Sequence, residues 1–321
     1  MAEPQPKSPE QALDPALAEV IDRLGAAIKA NPKADQPDID PPPAGKIVQL
    51  PLWPEPVRGT PNSFLRSALF AAIQGKGRKH LKRQLLASTQ GGTLRFTGQQ
   101  FDQSDLDVWE QAIHLAHYHP IGNVCYFTGY AFLKALGRNT GNAEYQWLDE
   151  AIERLVACAV IIQTGDQEYV GNLIGSCVRD KATRRYKLTL NPDTIKLYGW
   201  KDWTAIDREQ RQALRGKPLA LWLHGFYSTH AKPYPIKVET LRTLSGSGTK
   251  RLSKFKENLK SALRDLETVA SIKSTIDGDL VIVERVPTRS QQRHLTRKSK
   301  QRATTRTARK KPQNFQRLSD F

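Results

Sequence analysis

A cationic stretch with helical spacing runs from Val238 to Glu267, and it holds residue types that contact nucleic acid. Apolar residues recur there at steps of three or four, so they share one face of a helix. They are Leu252, Phe255, Leu259, Leu263 and Leu266. Lysine and arginine occupy much of the remaining surface, at Lys250, Lys254, Lys256, Lys260 and Arg264. The segment 245–249 predicts a turn followed by an N-cap candidate, so the stretch predicts a helix-turn-helix.

A helix that packs by one side and is basic on the other can lie in the major groove of DNA. Its first residues then reach base edges, while its lysines and arginines reach phosphates. The predicted groove contacts are Lys250, Arg251 and Lys254, the predicted phosphate contacts are Lys256 and Lys260, and Thr249 is counted with these DNA-binding residues. Taken alone, the stretch is equally typical of a solvated surface helix.

A second basic segment is the hairpin that follows a helix expected at 142–158. Its cations are Arg179, Lys181, Arg184, Arg185 and Lys187. A loop this basic fits a wing that lies against the DNA backbone or reaches into the minor groove; a solvated hairpin tip is the alternative. The helix carries four acidic residues against Arg154 alone, which disfavours a strong grip on phosphates. We therefore expect the first domain to hold DNA mostly by its wing, and the second to read the major groove by its helix.

The same order of elements occurs twice along the chain. Each copy predicts a strand, a short helix, a Gly-containing turn, a longer helix and a β-rich run. That run is AVIIQ at 159–163 in the first copy and SIKST at 271–275 in the second, and a hairpin completes each copy. Because helix-turn-helix plus hairpin is the winged-helix arrangement, we expect an α+β protein with two tandem winged-helix domains. The predicted boundaries are 1–60 for a disordered N-terminal region and linker, 61–203 and 204–288 for the two domains, and 289–321 for a basic disordered tail.

Charge is unevenly distributed along the 321 residues, whose net charge is +17. Residues 1–45 have a net charge of −4, the segment from Arg285 to the end has +11, and the rest has +10. A basic ordered region favours a polyanionic partner. The tail would add salt-sensitive affinity of no sequence preference, or serve only solubility. Three widely spaced cysteines, and no signal-peptide core or membrane-length apolar run, predict a cytoplasmic protein that uses no membrane.

Longer segments add to these patterns. They are QLPLWPEPVRGTPNSFLRSALFAAIQGK (49–76), DQSDLDVWEQAIHLA (102–116), AFLKALGR (131–138), EQRQALRGKPLALWLHGFYSTHA (209–231), PYPIKVETLRTLSGSGTK (233–250) and SQQRHLTRK (290–298). Together they resemble the TrfA-type replication initiators of broad-host-range plasmids, over about three quarters of the chain. The combination of GKPLALWLHGFY with VETLRTLSGSGTK is highly specific for that family.

This resemblance implies two winged-helix domains that bind repeated origin sequences, the iterons, as a monomer. Dimers would be the inactive form that limits plasmid copy number. The resemblance also implies help in opening an adjacent AT-rich region, with recruitment of the host helicase, the host initiator protein and the sliding clamp. It implies no cofactor.

The segment Gln49-Leu50-Pro51-Leu52-Trp53 is similar to short peptides that dock in the hydrophobic pocket of the bacterial sliding clamp. Leu50, Leu52 and Trp53 would supply buried apolar area, and Gln49 an orienting hydrogen bond. The aromatic position holds Trp where the motif usually has Phe. The alternative is a linker segment that packs Leu52 and Trp53 on its own domain.

Two other function classes are compatible with parts of the sequence. His117-Tyr118-His119 has the spacing of the metal-binding pair of rolling-circle nickases, but these residues end a helical pattern instead of lying on a strand. A winged-helix transcriptional repressor would share the DNA-binding elements and need no clamp peptide. The phosphate-loop pattern GxxxxGK[ST] is absent, so we expect DNA binding without catalysis, and no metal site.

Overall fold

This computed structural model describes residues 54–297 and residue 299, apart from 75–76, 90–92, 118–122, 165–166 and 200–201. All of these residues belong to one of the two compact units of the chain, Val48–Phe321. Residues 1–53 of the predicted N-terminal region, with the clamp-binding peptide Gln49, Leu50, Leu52 and Trp53, lie outside the described residues. Residues 57–60, which the sequence analysis assigned to the disordered region, instead belong to a strand that pairs with Trp203–Asp207, so the expected boundary at residue 60 is wrong by a few residues.

Helices and strands are mixed along the described residues, as expected from the sequence. The helices are α1 Asn62–Leu65, α2 Gln103–His117, α3 Gly129–Ala135, α4 Asn142–Val156, α5 Pro192–Gly199, α6 Arg208–Ala213, α7 Pro218–Ser228, α8 Val238–Leu244 and α9 Leu252–Val269. The strands are β1 Val57–Pro61, β2 Phe70–Ala71, β3 His80–Leu86, β4 Thr93–Gln99, β5 Phe101–Asp102, β6 Val124–Thr128, β7 Ala159–Thr164, β8 Gln167–Gly171, β9 Ile174–Asp180, β10 Arg185–Leu190, β11 Trp203–Asp207, β12 Ile236–Lys237, β13 Ile272–Asp277 and β14 Leu280–Arg285. No helix of the described residues is long and apolar enough to cross a membrane.

Two hydrophobic cores organise these elements. The first is built from buried residues between Phe64 and Ile206. The second is built from residues between Leu214 and Val283, together with Ala72. We call residues 57–207 the first module and residues 208–285 the second module. Each module buries its own set of apolar side chains, which is the main stabilising term of a folded unit.

Both modules contain a three-stranded antiparallel sheet with the same connections. Its strand order is β6-β10-β9 in the first module and β12-β14-β13 in the second. In each case one strand leads into two helices, and the chain returns as a hairpin whose second strand occupies the middle of the sheet. The two helices are α3 and α4 in the first module, and α8 and α9 in the second.

The first module has an extra hairpin that the sequence comparison of the two copies misplaced. AVIIQ was expected to correspond to SIKST, but it forms β7, which pairs with β4 and β8 in a separate four-stranded sheet. The strand that corresponds to β13 is β9. The error has a physical cause. Val160 and Ile162 are buried in the first core with Leu94 and Phe96. Such alternation predicts a half-buried strand, but it does not identify the strand with which it pairs.

The predicted basic tail begins as a helix and not as unfolded chain. Residues 289–297 are helical, and Gln292 N donates to Thr288 O at 2.8 Å. Gln291 Nε2 donates to Ser228 O at 2.8 Å, which ties this helix to the end of α7. The expectation of disorder from residue 289 onwards is therefore wrong for its first turns, because a tertiary contact supplies what the local sequence lacks.

A buried polar joint connects α6 to α2. Arg211 is buried, and its Nη2 donates to Gln103 O at 2.9 Å while its Nε donates to Asp107. Glu110 is buried in the same joint, where Thr60 Oγ1 donates to its Oε1 at 2.5 Å. Burial raises the pKa of Glu110 to about 7, against the attraction of Arg211. The folded chain therefore holds this proton more tightly than the unfolded chain does.

The raised pKa of Glu110 predicts how stability changes with pH. Because unfolded Glu ionises near 4.5, the free energy of unfolding falls as pH rises from about 5 to 7. Glutamine imitates the protonated carboxyl and does not ionise. We expect Glu110→Gln to match the wild type near pH 5 and to exceed it by about 1–3 kcal/mol near pH 8. Urea unfolding at both pH values measures this, with the exposed Glu150→Gln as control. Parallel profiles for Glu110→Gln and wild type would contradict the assignment.

Candidate nucleic-acid interface

The apolar side of α9 is buried as the sequence predicted. Phe255, Leu259, Leu263 and Leu266 are all buried in the second core, and Leu252 is half-buried at its edge. The helix packs against α7 and against β13 of the hairpin. Burial of a large apolar side chain contributes roughly 1.5–3 kcal/mol, so four of them fix which side of α9 faces outward.

The opposite side of α9 and the residues before it present cations to solvent. Lys250, Arg251, Lys254 and Lys260 are exposed. Lys254 Nζ donates to Glu257 at 2.8 Å, but both side chains are about two thirds exposed, and such pairs contribute little. Arg242 Nη1 donates to Lys250 O at 2.9 Å, which fixes the chain as it enters α9. The structure thus brings the predicted groove residues together on one exposed surface.

The first turn of α9 has no side-chain cap. Arg251 occupies the N-cap position, and no side chain accepts a hydrogen bond from the helix there. Thr249 is half-buried, and its Oγ1 accepts from Ser247 Oγ at 3.2 Å. The prediction of a capping residue after the turn is therefore wrong. Uncapped backbone N–H groups at a helix start are suited to bind phosphate oxygens.

Lys256 lies in a different environment from the other cations of α9. Its Nζ donates to Gly278 O at 2.5 Å and lies 3.5 Å from Asp279 Oδ1. Both partners belong to the turn of the hairpin β13–β14. Lys256, which the sequence predicted to contact phosphate, therefore makes a hydrogen bond within the protein. The helical spacing of the sequence does not indicate this contact.

The basic hairpin of the first module is β9–β10, with its turn at residues 181–184. Lys181, Arg184, Arg185 and Lys187 are exposed. Asp180 closes the turn, since its Oδ1 accepts from the backbone N–H groups of residues 182 and 183 at 2.9 and 3.1 Å. These hydrogen bonds lower the pKa of Asp180 and keep its charge directed into the turn. The outward surface of the turn is therefore cationic.

Arg184 fixes that turn against the start of α4. It has a φ of +53°, its Nη2 donates to Asn142 Oδ1 at 2.9 Å, and its guanidinium lies 3.9 Å from the ring centroid of Tyr145. A guanidinium over an aromatic face is an attractive arrangement. Sequence reasoning did not single out Asn142 or Tyr145, because neither the contact nor the backbone conformation of Arg184 has a local sequence signal.

Arg179 is held by α4 and does not project to solvent like its neighbours. It lies 3.1 Å from Asp149 and 2.5 Å from Glu153. Glu144 is paired as well, with Arg138 at 2.6 Å. Three of the four acids of α4 are thus ion-paired, but Asp149 and Glu153 share one arginine, so about half of the acidic charge is neutralised within the first module. An acidic α4 is a weaker obstacle to DNA than its composition suggests.

Lys187 belongs to an exposed row across the three-stranded sheet of the first module. The register places it between Tyr126 on β6 and Val178 on β9. Tyr126 is 60% exposed and Val178 is 66% exposed, and Lys187 Nζ lies 5.8 Å from the Tyr126 ring centroid. Sequence reasoning missed both neighbours, because β6 is a run of apolar residues, VCYF, that does not mark Tyr126 as an outward position.

The histidines of the nickase alternative do not gather into a metal site in the described residues. His117 is the last residue of α2, and His119 lies outside the described residues. His114 Nε2 lies 2.7 Å from Glu55 Oε2, and burial lowers the pKa of His114. Among the residues that the structure describes, no group of three or more His, Cys, Asp or Glu is placed to hold a metal ion.

The turn before α9 packs directly against the first module. Ala72 N donates to Ser245 O at 2.7 Å, and Gly246 follows with a φ of +61°. A Cβ on Gly246 would lie 2.9 Å from Ala71 Cβ and 3.1 Å from Ala68 Cβ. Both the backbone conformation and the close approach therefore require glycine at this position.

Comparison with known proteins gives a family and one curated relative. The family model described as TrfA protein matches residues 45–285. The plasmid replication initiator protein TrfA of Escherichia coli is 29% identical over 260 residues, which cover 75% of this chain and 66% of that protein. The chain thus spans about two thirds of the length of the relative that it matches.

Two solved structures show distant similarity. The crystal structure of domains 2 and 3 of RctB has a TM-score of 0.48 and 12% identity, and the match covers 70% of this chain and 96% of that one. The crystal structure of the Pi initiator protein in complex with iteron DNA has a TM-score of 0.42 and 14% identity. That match covers 57% of this chain and 94% of that one.

Replacement of Gly246 tests whether its turn positions α9. We expect Gly246→Ala to lower the free energy of unfolding by about 1–3 kcal/mol, since it combines a positive φ with a steric conflict. Gly248→Ala is the matched control, because a Cβ there meets nothing within 4 Å and its φ is not positive. Thermal and urea unfolding measure both variants. Equal stability of the two would show that Gly246 does not constrain the turn.

Proposed function

This chain belongs to the TrfA protein family, and we propose that it initiates plasmid replication by binding repeated origin sequences in duplex DNA. The relative in Escherichia coli carries the name of plasmid replication initiator. The exposed cationic surface of α9 supports the same function from the physical side, because duplex DNA is a dense polyanion. Under this proposal the protein acts on DNA in the cytoplasm.

The proposal rests on one observation: α9 buries its apolar side in the second core, and the residues at its start expose cations to solvent. Lys250, Arg251 and Lys254 lie where a helix entering the major groove presents its base-reading residues. Lys260 and Arg264 continue along the exposed side, where they would meet phosphates. Lysine and arginine recognise guanine edges best, so the cognate repeat would carry guanines opposite the start of α9.

We further propose that each module is a winged helix and that the two grip DNA by different parts. In the first module the basic turn with Lys181 and Arg185 would lie on the DNA backbone, with Arg184 held at the start of α4. In the second module α9 would enter the major groove. The shared strand order of the two small sheets supports a common architecture for both modules.

The proposal involves binding and no catalytic step. Energy for opening an origin would come from DNA bending and from host proteins. Gln49, Leu50, Leu52 and Trp53 would dock on the host sliding clamp as an extended peptide. Recruitment of the host helicase and initiator protein, binding as a monomer and inactivity of the dimer rest on the family resemblance.

A mobility-shift titration tests the proposed function. Purified full-length protein is titrated against a duplex with the tandem repeats of its own replicon and against a scrambled duplex, at two salt concentrations with EDTA present. We expect about a thousandfold preference for the repeats, with intact DNA recovered. Equal and steeply salt-dependent binding to both duplexes would reduce the protein to a nonspecific DNA-binding protein. DNA nicked in a parallel incubation with Mg²⁺ in place of EDTA would overturn the absence of catalysis.

The assignment of α9 is tested by Lys250→Ala combined with Lys254→Ala. We expect affinity for the repeats to fall about tenfold to a thousandfold, with thermal stability unchanged, because the replaced side chains contact solvent and not the core. Lys273→Ala is the control, since it removes an exposed lysine from β13 beside the opposite end of α9. If the double variant bound as tightly as the control at the same salt concentration, α9 would not be the reading helix.

A further inference from the structure

The hairpin of the second module ends in an acidic turn. Asp277 and Leu280 form its last cross-strand pair, and Gly278 and Asp279 make the turn, with Gly278 at a φ of +55°. Asp277 and Asp279 are both exposed. The hairpin of the first module has exposed lysine and arginine at the corresponding place, so the two turns differ in the sign of their charge.

The acidic turn is fixed against both helices of the second module. Val238 N, at the start of α8, donates to Asp279 O at 2.8 Å. Lys256 Nζ, near the start of α9, donates to Gly278 O at 2.5 Å and lies 3.5 Å from Asp279 Oδ1. The Lys256 side chain is 31% exposed, whereas that of Lys254 is 63% exposed. The turn therefore does not project away from the module as a free wing would.

These contacts place two carboxylates beside the cationic start of α9. Lys256 lies about 200° around the helix from Lys254 and is only partly exposed, so the turn borders the exposed surface of α9 from its flank. Charges closer than about 8 Å, the screening length at physiological salt, still act on each other. A phosphate brought to α9 would be repelled by Asp277 and Asp279. Lys256, already held, would release no counterion when DNA binds.

We propose that the turn Asp277–Asp279 is a built-in negative element that limits the affinity of the second module for duplex DNA of any sequence. Lys256 acts in it as a brace between helix and hairpin and not as a phosphate ligand. This inference rests on the proposed function, since it concerns the same DNA-binding surface. It changes the phosphate role that the sequence predicted for Lys256.

The two modules share one topology but differ in which part, the helix or the hairpin turn, carries the cations. In the first module Arg184 connects the basic hairpin turn to the start of α4, a helix whose acids are only partly neutralised by Arg138 and Arg179. In the second module the helix is basic and the connected turn is acidic. Each module thus has one cationic part, and the neighbouring part carries the opposite charge. An acidic second turn ensures that α9 alone, and not a wing, holds DNA in that module.

The experiment compares wild type with Asp277→Asn combined with Asp279→Asn. Asn-Gly is a favoured sequence for tight hairpin turns, so the hairpin should be retained, which a thermal melt verifies. Mobility-shift titrations use the repeat duplex and the scrambled duplex in EDTA at three salt concentrations. We expect affinity for both duplexes to rise by a similar factor, about three- to thirtyfold at low salt. Glu284→Gln, an exposed carboxylate about 14 Å further along β14, should change neither affinity.

Lys256→Ala is the second arm. We expect it to lower thermal stability and, because Asp279 loses its partner, to lower affinity for both duplexes by about two- to fivefold at low salt, with the salt slope unchanged. A loss of about 0.9 in that slope, the value for one phosphate contact, would show that Lys256 binds phosphate and would overturn the brace. Unchanged or weaker DNA binding by the double Asn variant would overturn the negative element.

The two proposals fail separately in this design. If wild type bound both duplexes equally, specific origin binding would be wrong, while the scrambled duplex would still report the effect of the turn. If wild type preferred the repeats and the double Asn variant did not bind either duplex more tightly, only the acidic turn would be refuted. Absence of binding by both proteins would overturn both.

Discussion

Ion pairing inside the chain decides which of its many cations can meet a polyanion. A lysine or arginine that a carboxylate already holds releases no counterion on DNA, so it adds little to affinity. Arg179 is held by α4, and Lys256 is held by the second hairpin. Lys250 is exposed, and Lys254 has only an exposed partner in Glu257, whose exchange for a phosphate costs little. The cationic surface of α9 therefore loses Lys256, and it consists of Lys250, Arg251 and Lys254 at the start of the helix and Lys260 and Arg264 further along it.

The shared topology of the two small sheets explains why the sign of the charge at the hairpin turn can differ between the two modules without a change of fold. In both sheets the second hairpin strand lies in the middle, so the hairpin turn comes to rest beside the longer helix. Apolar burial by α9 and its equivalent α4 fixes this arrangement. The side chains at the turn contribute little to either core. Lys181 in one turn and Asp279 in the other can therefore differ in charge on equivalent scaffolds.

Periodic patterns predicted the elements well, whereas contacts between elements were not predictable. The apolar face of α9 follows from a period of 3.6 residues, and it is buried as expected. The neighbours of β7 do not follow from its alternation, because the same alternation suits any half-buried strand. Likewise, the partners of Lys256 and Arg179 come from other elements, and no local signal identifies them. The buried and exposed sides of α9 could thus be predicted from sequence, but not the partner of each cation.

The helix at 289–297 shows how a tertiary contact can order a basic segment. Arg289, Arg293 and Arg297 recur every fourth residue, so they form one stripe of like charge, which destabilises a helix by a few tenths of a kcal/mol per pair. The hydrogen bond from Gln291 to Ser228 offsets part of this cost. A polyanion along the stripe would remove the remaining repulsion. Because the helix is already formed, that partner would not have to supply the free energy of ordering it.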